Sequence, residues 1–224
     1  MLCALVACTP VDSNAITTAQ LNLQVEVQAT GIGGSQVFAW LFSHRDGDPP
    51  LNLETIRLVD EDALTATTNG HSVAMQESDL VVEYRYDAAF DTAVADQRYE
   101  VALDRVADTS APHSVVTLPA PFTPVVPATA SRDAPLTITW SPSGSGDPIS
   151  ISISGCASAQ LGPLPDTGTA TFPAGTVTAN QPGATCDPDV TLARKRTGTL
   201  DPAYGQGGSI VAVQRRHATI TSTP

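Results

Sequence analysis

The chain has 224 residues and a formal net charge of −12. That is roughly twice a common domain length of about 100–150 residues, so two domains are expected. Its acidic balance lacks the basic footprint that a phosphate backbone requires, which argues against nucleic acid as a partner. Glycine and proline punctuate stretches rich in Thr, Ser, Val and Ala. Such a composition reads as all-β, with short strands between turns. No later segment approaches the ~18 apolar residues of a membrane-spanning helix.

The first motif in chain order is Leu5-Val6-Ala7-Cys8. It resembles the lipobox of bacterial lipoproteins, in which a branched apolar residue and two small residues precede a cysteine. The resemblance implies thioether lipidation of Cys8, cleavage before it and acylation of the new terminus. Two or more acyl chains make a durable anchor where one gives only reversible binding. Thr9 after the cysteine implies sorting to the outer membrane, with the body in the periplasm or at the cell surface. Residues 1–8 are then the end of a signal, and residues 9–19, polar and containing Pro10, a flexible tether. Only seven residues precede Cys8 and none is charged, so the basic segment of a signal is expected upstream or trimmed away.

Residues 20–118 read as an acidic β-sandwich. Leu21, Leu23, Val25, Val27 and Ala29 alternate with Asn22, Gln24, Glu26 and Gln28, the period-two pattern of a half-buried strand. After the turn Gly31-Ile32-Gly33-Gly34, the run from Gln36 to Phe42 is apolar on both faces. It is expected to be a central strand with Trp40 in the core. Asn69-Gly70 lies between two strand candidates and signals a two-residue hairpin. Seven or so strands at this spacing suggest a sandwich.

Four prolines fall within residues 118–127, a stretch suited to extended geometry, and residues 119–134 are expected to be a stiff linker. Residues 135–224 read as a second sandwich. Leu136-Thr137-Ile138-Thr139-Trp140, a proline-bearing turn and the alternating run 149–154 resemble the opening of fibronectin type III or immunoglobulin-like domains. That resemblance implies two immunoglobulin-like antiparallel β-sandwiches in tandem. The whole second half is also similar to the C-terminal region of Gram-negative lipoproteins, which implies no particular activity. Cys156 and Cys186, the two cysteines of the folded body, are expected to form a disulfide, as an even pair in an exported chain does.

No H-E-x-x-H, G-x-S-x-G, Walker A or G-x-G-x-x-G pattern is present, so a non-catalytic protein without an obligate cofactor is expected. Two surfaces carry candidate chemistry. Asp60, Glu61 and Asp62 are the best calcium candidates, since calcium takes oxygen ligands that inter-strand loops often supply. The alternative is acidic turns that aid solubility and block edge-to-edge pairing. The second surface gathers Arg194, Lys195 and Arg196 with Arg215 and Arg216, joined by the long loop 197–208. Alternation puts Arg194 and Arg196 on one face and Lys195 on the other. Arg194, Arg196 and Arg215 flank Tyr204 near the loop tip, an aromatic suited to anchoring a protein partner or stacking on a glycan. The alternative is a loop folded over the sandwich end, with Tyr204 half buried and the arginines solvated. The expected role is a membrane-anchored interaction, adhesion or scaffolding module, with a carbohydrate- or calcium-binding module as its rival.

Overall fold

The computed structural model describes residues 11–44, 53–80, 83–181 and 183–224. Cys8 and the rest of the Leu5-Val6-Ala7-Cys8 motif lie outside them. The first half holds strands β1 (Val11–Asp12), β2 (Leu21–Ala29), β3 (Ser35–His44), β4 (Leu53–Arg57), β5 (Ala63–Thr68), β6 (His71–Ala74), β7 (Gln76–Leu80), β8 (Glu83–Phe90), β9 (Arg98–Asp104) and β10 (Ala111–Thr117). The second holds β11 (Thr123–Val125), β12 (Thr129–Ser131), β13 (Leu136–Ser141), β14 (Ile149–Ser154), β15 (Ala157–Leu164), β16 (Thr169–Phe172), β17 (Thr178–Ala179), β18 (Asp189–Thr197), β19 (Gly208–Thr219) and β20 (Thr221–Thr223). The all-β expectation holds. The hairpin at Asn69-Gly70 also forms, with both residues at positive φ as a type I′ turn requires.

One long sheet organises the molecule. Its strands run in the order β1-β4-β3-β2-β19-β18-β14-β15-β17, with β8 and β7 added alongside β3. A four-stranded sheet, β10-β9-β5-β6, and a three-stranded sheet, β11-β13-β16, complete two sandwiches with it. The crossing point is β2 against β19, a parallel pair running from Leu23↔Gly208 to Ala29↔Gln214. Entry to that seam needs a glycine: Gly208 sits at φ +127°, and a Cβ there would stand 1.9 Å from the Leu23 carbonyl oxygen.

Register places both cores on the same face of this sheet. Val25, Val27 and Ala29 lie opposite Ile210, Ala212 and Gln214, and the β18–β19 ladder aligns Ala212, Gln214 and Arg216 with Arg196, Arg194 and Leu192. The first core joins Leu21, Leu23, Val37 and Leu41 to Leu64, Tyr99, Val101 and Leu103 of the four-stranded sheet. It also takes in Tyr204, Ile210 and Ala212 from the far end of the chain. The second core packs Ile149, Ile151, Val190 and Leu192 under Phe122, Ile138, Trp140 and Phe172. Two antiparallel sandwiches held apart by a spacer are therefore not what forms. The cores are distinct, but one continuous sheet underlies both, and the seam between the halves is parallel. Sequence could not reveal this, because period-two alternation fixes faces and says nothing about which strand is the neighbour.

The stretch expected to be a stiff linker is packed instead. Leu118 and Phe122 are buried, β11 pairs with β13, and β12 pairs with β20. The expected tether is likewise docked from residue 11 onward. Ser13 and Thr18 are buried, and the enclosed Arg105 guanidinium donates to the carbonyls of Ser13 at 2.7 Å and Ile16 at 3.0 Å. Those carbonyls satisfy guanidinium donors that would be costly to bury unpaired.

Candidate functional site

Of the arginines expected to form a contact surface, Arg194 and Arg196 lie on the inner face of the sheet. Alternation did put Arg194 and Arg196 on one side of β18, but that side faces the junction between the cores. The Arg194 side chain is 0% exposed and pairs at 3.0 Å with Asp166, itself 1% exposed. It also donates to the carbonyls of Ala120 and Pro142 and stacks 4.7 Å from the centre of the Phe122 ring. Asp166 is gripped by Trp140 Nε1, by the Ser145 backbone N–H at 3.0 Å and by the Ser145 hydroxyl at 2.7 Å. Burial works against its ionisation, yet these hydrogen bonds and the Arg194 charge outweigh it and hold the carboxyl below its ordinary pKa.

Arg196 bridges the two sandwiches. It donates to Asp147 at 2.9 and 2.8 Å on one side, and to Asp96 at 2.7 Å and the Thr117 hydroxyl at 2.9 Å on the other. These partners, Asp147 first, raise its already high pKa further. Arg216 completes the junction without a carboxylate. Its donors reach the carbonyls of Phe122, Ala29 and Arg215 and the Gln214 side chain, while its guanidinium lies 5.5 Å from the Phe122 ring. Burial and the nearby Arg194 lower its pKa. Three arginines, three aspartates and one ring thus weld the halves. Arg215, on the outer face, pairs with Glu26 at 2.9 Å.

Tyr204 is 5% exposed and belongs to the first core, so it is not an exposed anchor. Its loop folds over the sandwich end. Asp201 accepts from the backbone N–H groups of His113 at 2.8 Å and Ala203 at 2.9 Å, and Thr199 bridges to Val115. Burial, with the Asp201 charge behind it, raises the Tyr204 phenol above its ordinary pKa. Its buried Oη has no hydrogen-bond partner.

Asp60 and Glu61 form a left-handed turn between β4 and β5, at φ 54° and 69°. Asp62 points inward, where Arg105 pairs with it at 2.7 Å and the Ser13 hydroxyl and Val106 N–H donate to it. Asp60 accepts from Asn14. A carboxylate already neutralised by a buried arginine is a poor calcium ligand, so the three side chains do not converge on a cation. Among the described residues, no group of three or more His, Cys, Asp or Glu does so. The histidines with described side chains stand apart: His71 against the Phe90 ring, His113 by Glu100 and His217 by Thr191. Cys156 and Cys186 are bonded, as expected, across a separation of 30 residues.

Sequence reasoning missed the outer face. Trp40 is half-buried there, not in the core, because β3 turns Val37, Ala39 and Leu41 inward and leaves Phe38, Trp40 and Phe42 on the opposite parity. Phe38 and Trp40 lie 6.3 Å apart. The Arg85 guanidinium sits 4.9 Å over Phe38 and is oriented by Asp87 at 2.7 and 2.9 Å. Asp87 also accepts from Ser78; despite burial, the Arg85 and Ser78 bonds lower its pKa. An open groove of about 630 Å³ runs here, lined by Gln36, Phe38, Val73, Gln76, Arg85 and Asp87. Beside it, Gln24, Glu26 and Gln28 stand directly across from Trp40, Phe38 and Gln36. The legible signal was parity: aliphatics on odd positions of β3, aromatics on even ones, and a polar row on the facing positions of β2.

Fold and site together define a disulfide-bonded all-β protein whose open surface is a groove of aromatic, amide and paired charged groups. No family model matches the chain, and no curated protein matches it. Among solved structures it is similar to Escherichia coli alpha-2-macroglobulin activated by porcine elastase, at 12% identity and a TM-score of 0.26 over 92% of this chain and 22% of that one. It is also similar to the Yersinia pseudotuberculosis adhesin InvE, at 14% identity and a TM-score of 0.23 over 92% of this chain and 59% of that one. Red sea bream transglutaminase matches at 13% identity and a TM-score of 0.22 over 92% and 31%. The chain spans less than two thirds of each of these proteins.

Proposed function

We propose that the chain is a membrane-anchored, non-catalytic interaction module of the adhesion or scaffolding kind, with two immunoglobulin-like sandwiches fused through one sheet. It is held at the bacterial outer membrane, in the periplasm or at the cell surface, by a lipid on Cys8. The observation that carries the contact surface is the outer groove. There Phe38 and an oriented Arg85 meet the amides of Gln36 and Gln76, with Trp40 beside Phe38 on the same face, and aromatic residues and arginine are what interface cores favour. The Leu5-Val6-Ala7-Cys8 motif supports the anchor, and the Cys156–Cys186 bond fits the oxidising compartment to which such an anchor belongs.

A carbohydrate-binding module on the same groove is the second reading. The Phe38–Trp40 pair beside Gln24, Gln28 and Gln36 favours it, because rings present apolar faces while amides both donate and accept.

Trp40 emission provides the test. Titration with envelope proteins and with cell-wall polysaccharides should change it saturably, against Trp40→Phe as the blank. Arg85→Ala should weaken the response while leaving the melting temperature nearly unchanged. Emission indifferent to both ligand classes removes the groove. Separately, Cys8→Ser should release the protein from the membrane fraction, and wild-type protein carrying no fatty acid would remove the anchor.

A further inference from the structure

Three parallel strand pairs occur among the described residues: β1 with β4, β2 with β19 and β12 with β20. Each contains one of the first two or last two strands of the chain, and the remaining described ladders are antiparallel. We propose that this arrangement is a tension clamp: force applied between the two ends of the chain is borne by the β2–β19 seam in shear.

The geometry follows from direction. The chain enters the seam at Leu23, beside Gly208, and leaves it beyond Gln214, beside Ala29. The two ends therefore depart from opposite ends of a parallel ladder. Pulling on them slides the strands along each other and loads every bond of the ladder together. In a hairpin pulled from its open end, the bonds instead break singly, in succession. Parallel ladders carry evenly spaced bonds, so the load is shared evenly. Side chains lock the register. Asn22 donates to the Gln206 carbonyl at 2.9 Å, and Ser209 donates to Gln24. Arg215 pairs with Glu26 at 2.9 Å, and Arg216 reaches the Ala29 carbonyl at 3.4 Å.

Both approaches to the seam are pinned as well. Before it, Arg105 holds the carbonyls of Ser13 and Ile16. After it, Arg132 holds Ser222, and Cys186 pairs through its backbone with Ser222. The inference goes beyond the contact surface proposed above. It depends neither on what the groove binds nor on the lipid, so a failed pulling experiment and a failed binding titration are separate results.

Single-molecule pulling in two geometries tests it. In the first, handles are fused at the two ends of the full chain. In the second, one handle stays at the C-terminal end and the other is a peptide tag inserted in the turn at Ile32, which is 90% exposed. That turn follows Ala29, so the second geometry pulls both strands from the same end of the seam and peels them. Forced unfolding reports the unfolding barrier along the pulling direction. The expected result is a largest rupture force several-fold higher for end-to-end pulling at equal loading rate, with equal melting temperatures confirming that the tag leaves the fold intact. Glu26→Gln should lower the end-to-end force and leave the peeling force unchanged. Equal forces in the two geometries overturn the clamp.

Discussion

The two cores solve the same problem by opposite means. The first is large and draws on the far end of the chain, recruiting Tyr204, Ile210 and Ala212 to close over strands from the first half. The second is smaller, holds Phe122, Trp140, Phe172 and a row of isoleucines, and is tied by the Cys156–Cys186 bond. Between them the shared sheet carries arginines where a core would carry leucines. A small core buries too little apolar surface to stand alone comfortably, so a covalent staple and a sheet borrowed from its neighbour stabilise it.

The contrast is sharpest to break at the junction. Asp166→Ala leaves Arg194 buried without its carboxylate, and removing one partner of such a pair costs about 3–5 kcal/mol. Chemical denaturation should show that loss in a single cooperative transition. Two separate transitions in the wild type would mean that the cores are independent. The same pair sets a pH dependence. The folded Asp166 carboxyl lies below its ordinary value, so on acidification the unfolded chain takes up the proton first. Its contribution is present above the unfolded pKa of about 3.9 and is lost as pH falls through the lower folded value. Asp166→Asn should flatten that segment of the acid limb.

A loss of similar size, about 3.6 kcal/mol by the chain-entropy relation for a 30-residue separation, is expected for Cys186→Ser. Hydrogen exchange should localise it to the second core, with β14 and β18 losing protection before β5 and β9. Uniform loss across both cores would argue that the staple stabilises the whole shared sheet instead. The smallest effect has the opposite sign. Tyr204→Phe removes a buried hydroxyl that has no partner, so the first core should gain up to about 1 kcal/mol. A fall in melting temperature would show that the hydroxyl is satisfied after all.

Much of the strand plan was legible residue by residue. β2 was readable from its alternation alone, Asn69-Gly70 announced its hairpin, and the two body cysteines were paired. The errors share one cause. Trp40 was assigned to the core and Arg194 and Arg196 to the surface, whereas Trp40 is half-buried on the outer face and the two arginines lie on the inner one. In each case parity correctly grouped the residues onto one face. Nothing local said that the small aliphatics of β3 would win the interior, or that β18 would turn its arginines toward waiting carbonyls and aspartates. Nor could the stretch Asp60, Glu61 and Asp62 reveal that Asp62 has a partner of its own, since the arginine that claims it lies 43 residues downstream, at Arg105.

By itself, then, the sequence determined the all-β character, the period-two faces, the turns and the identity of the disulfide partners. These depend on local backbone preference and on the simple pairing of two cysteines in the folded body. Only the tertiary structure decided that β2 and β19 are neighbours, that one sheet serves both cores, and which face of each strand is inside. Pairing between residues some 185 positions apart is set by the free energy of the whole packed arrangement, and no short stretch of chain encodes it.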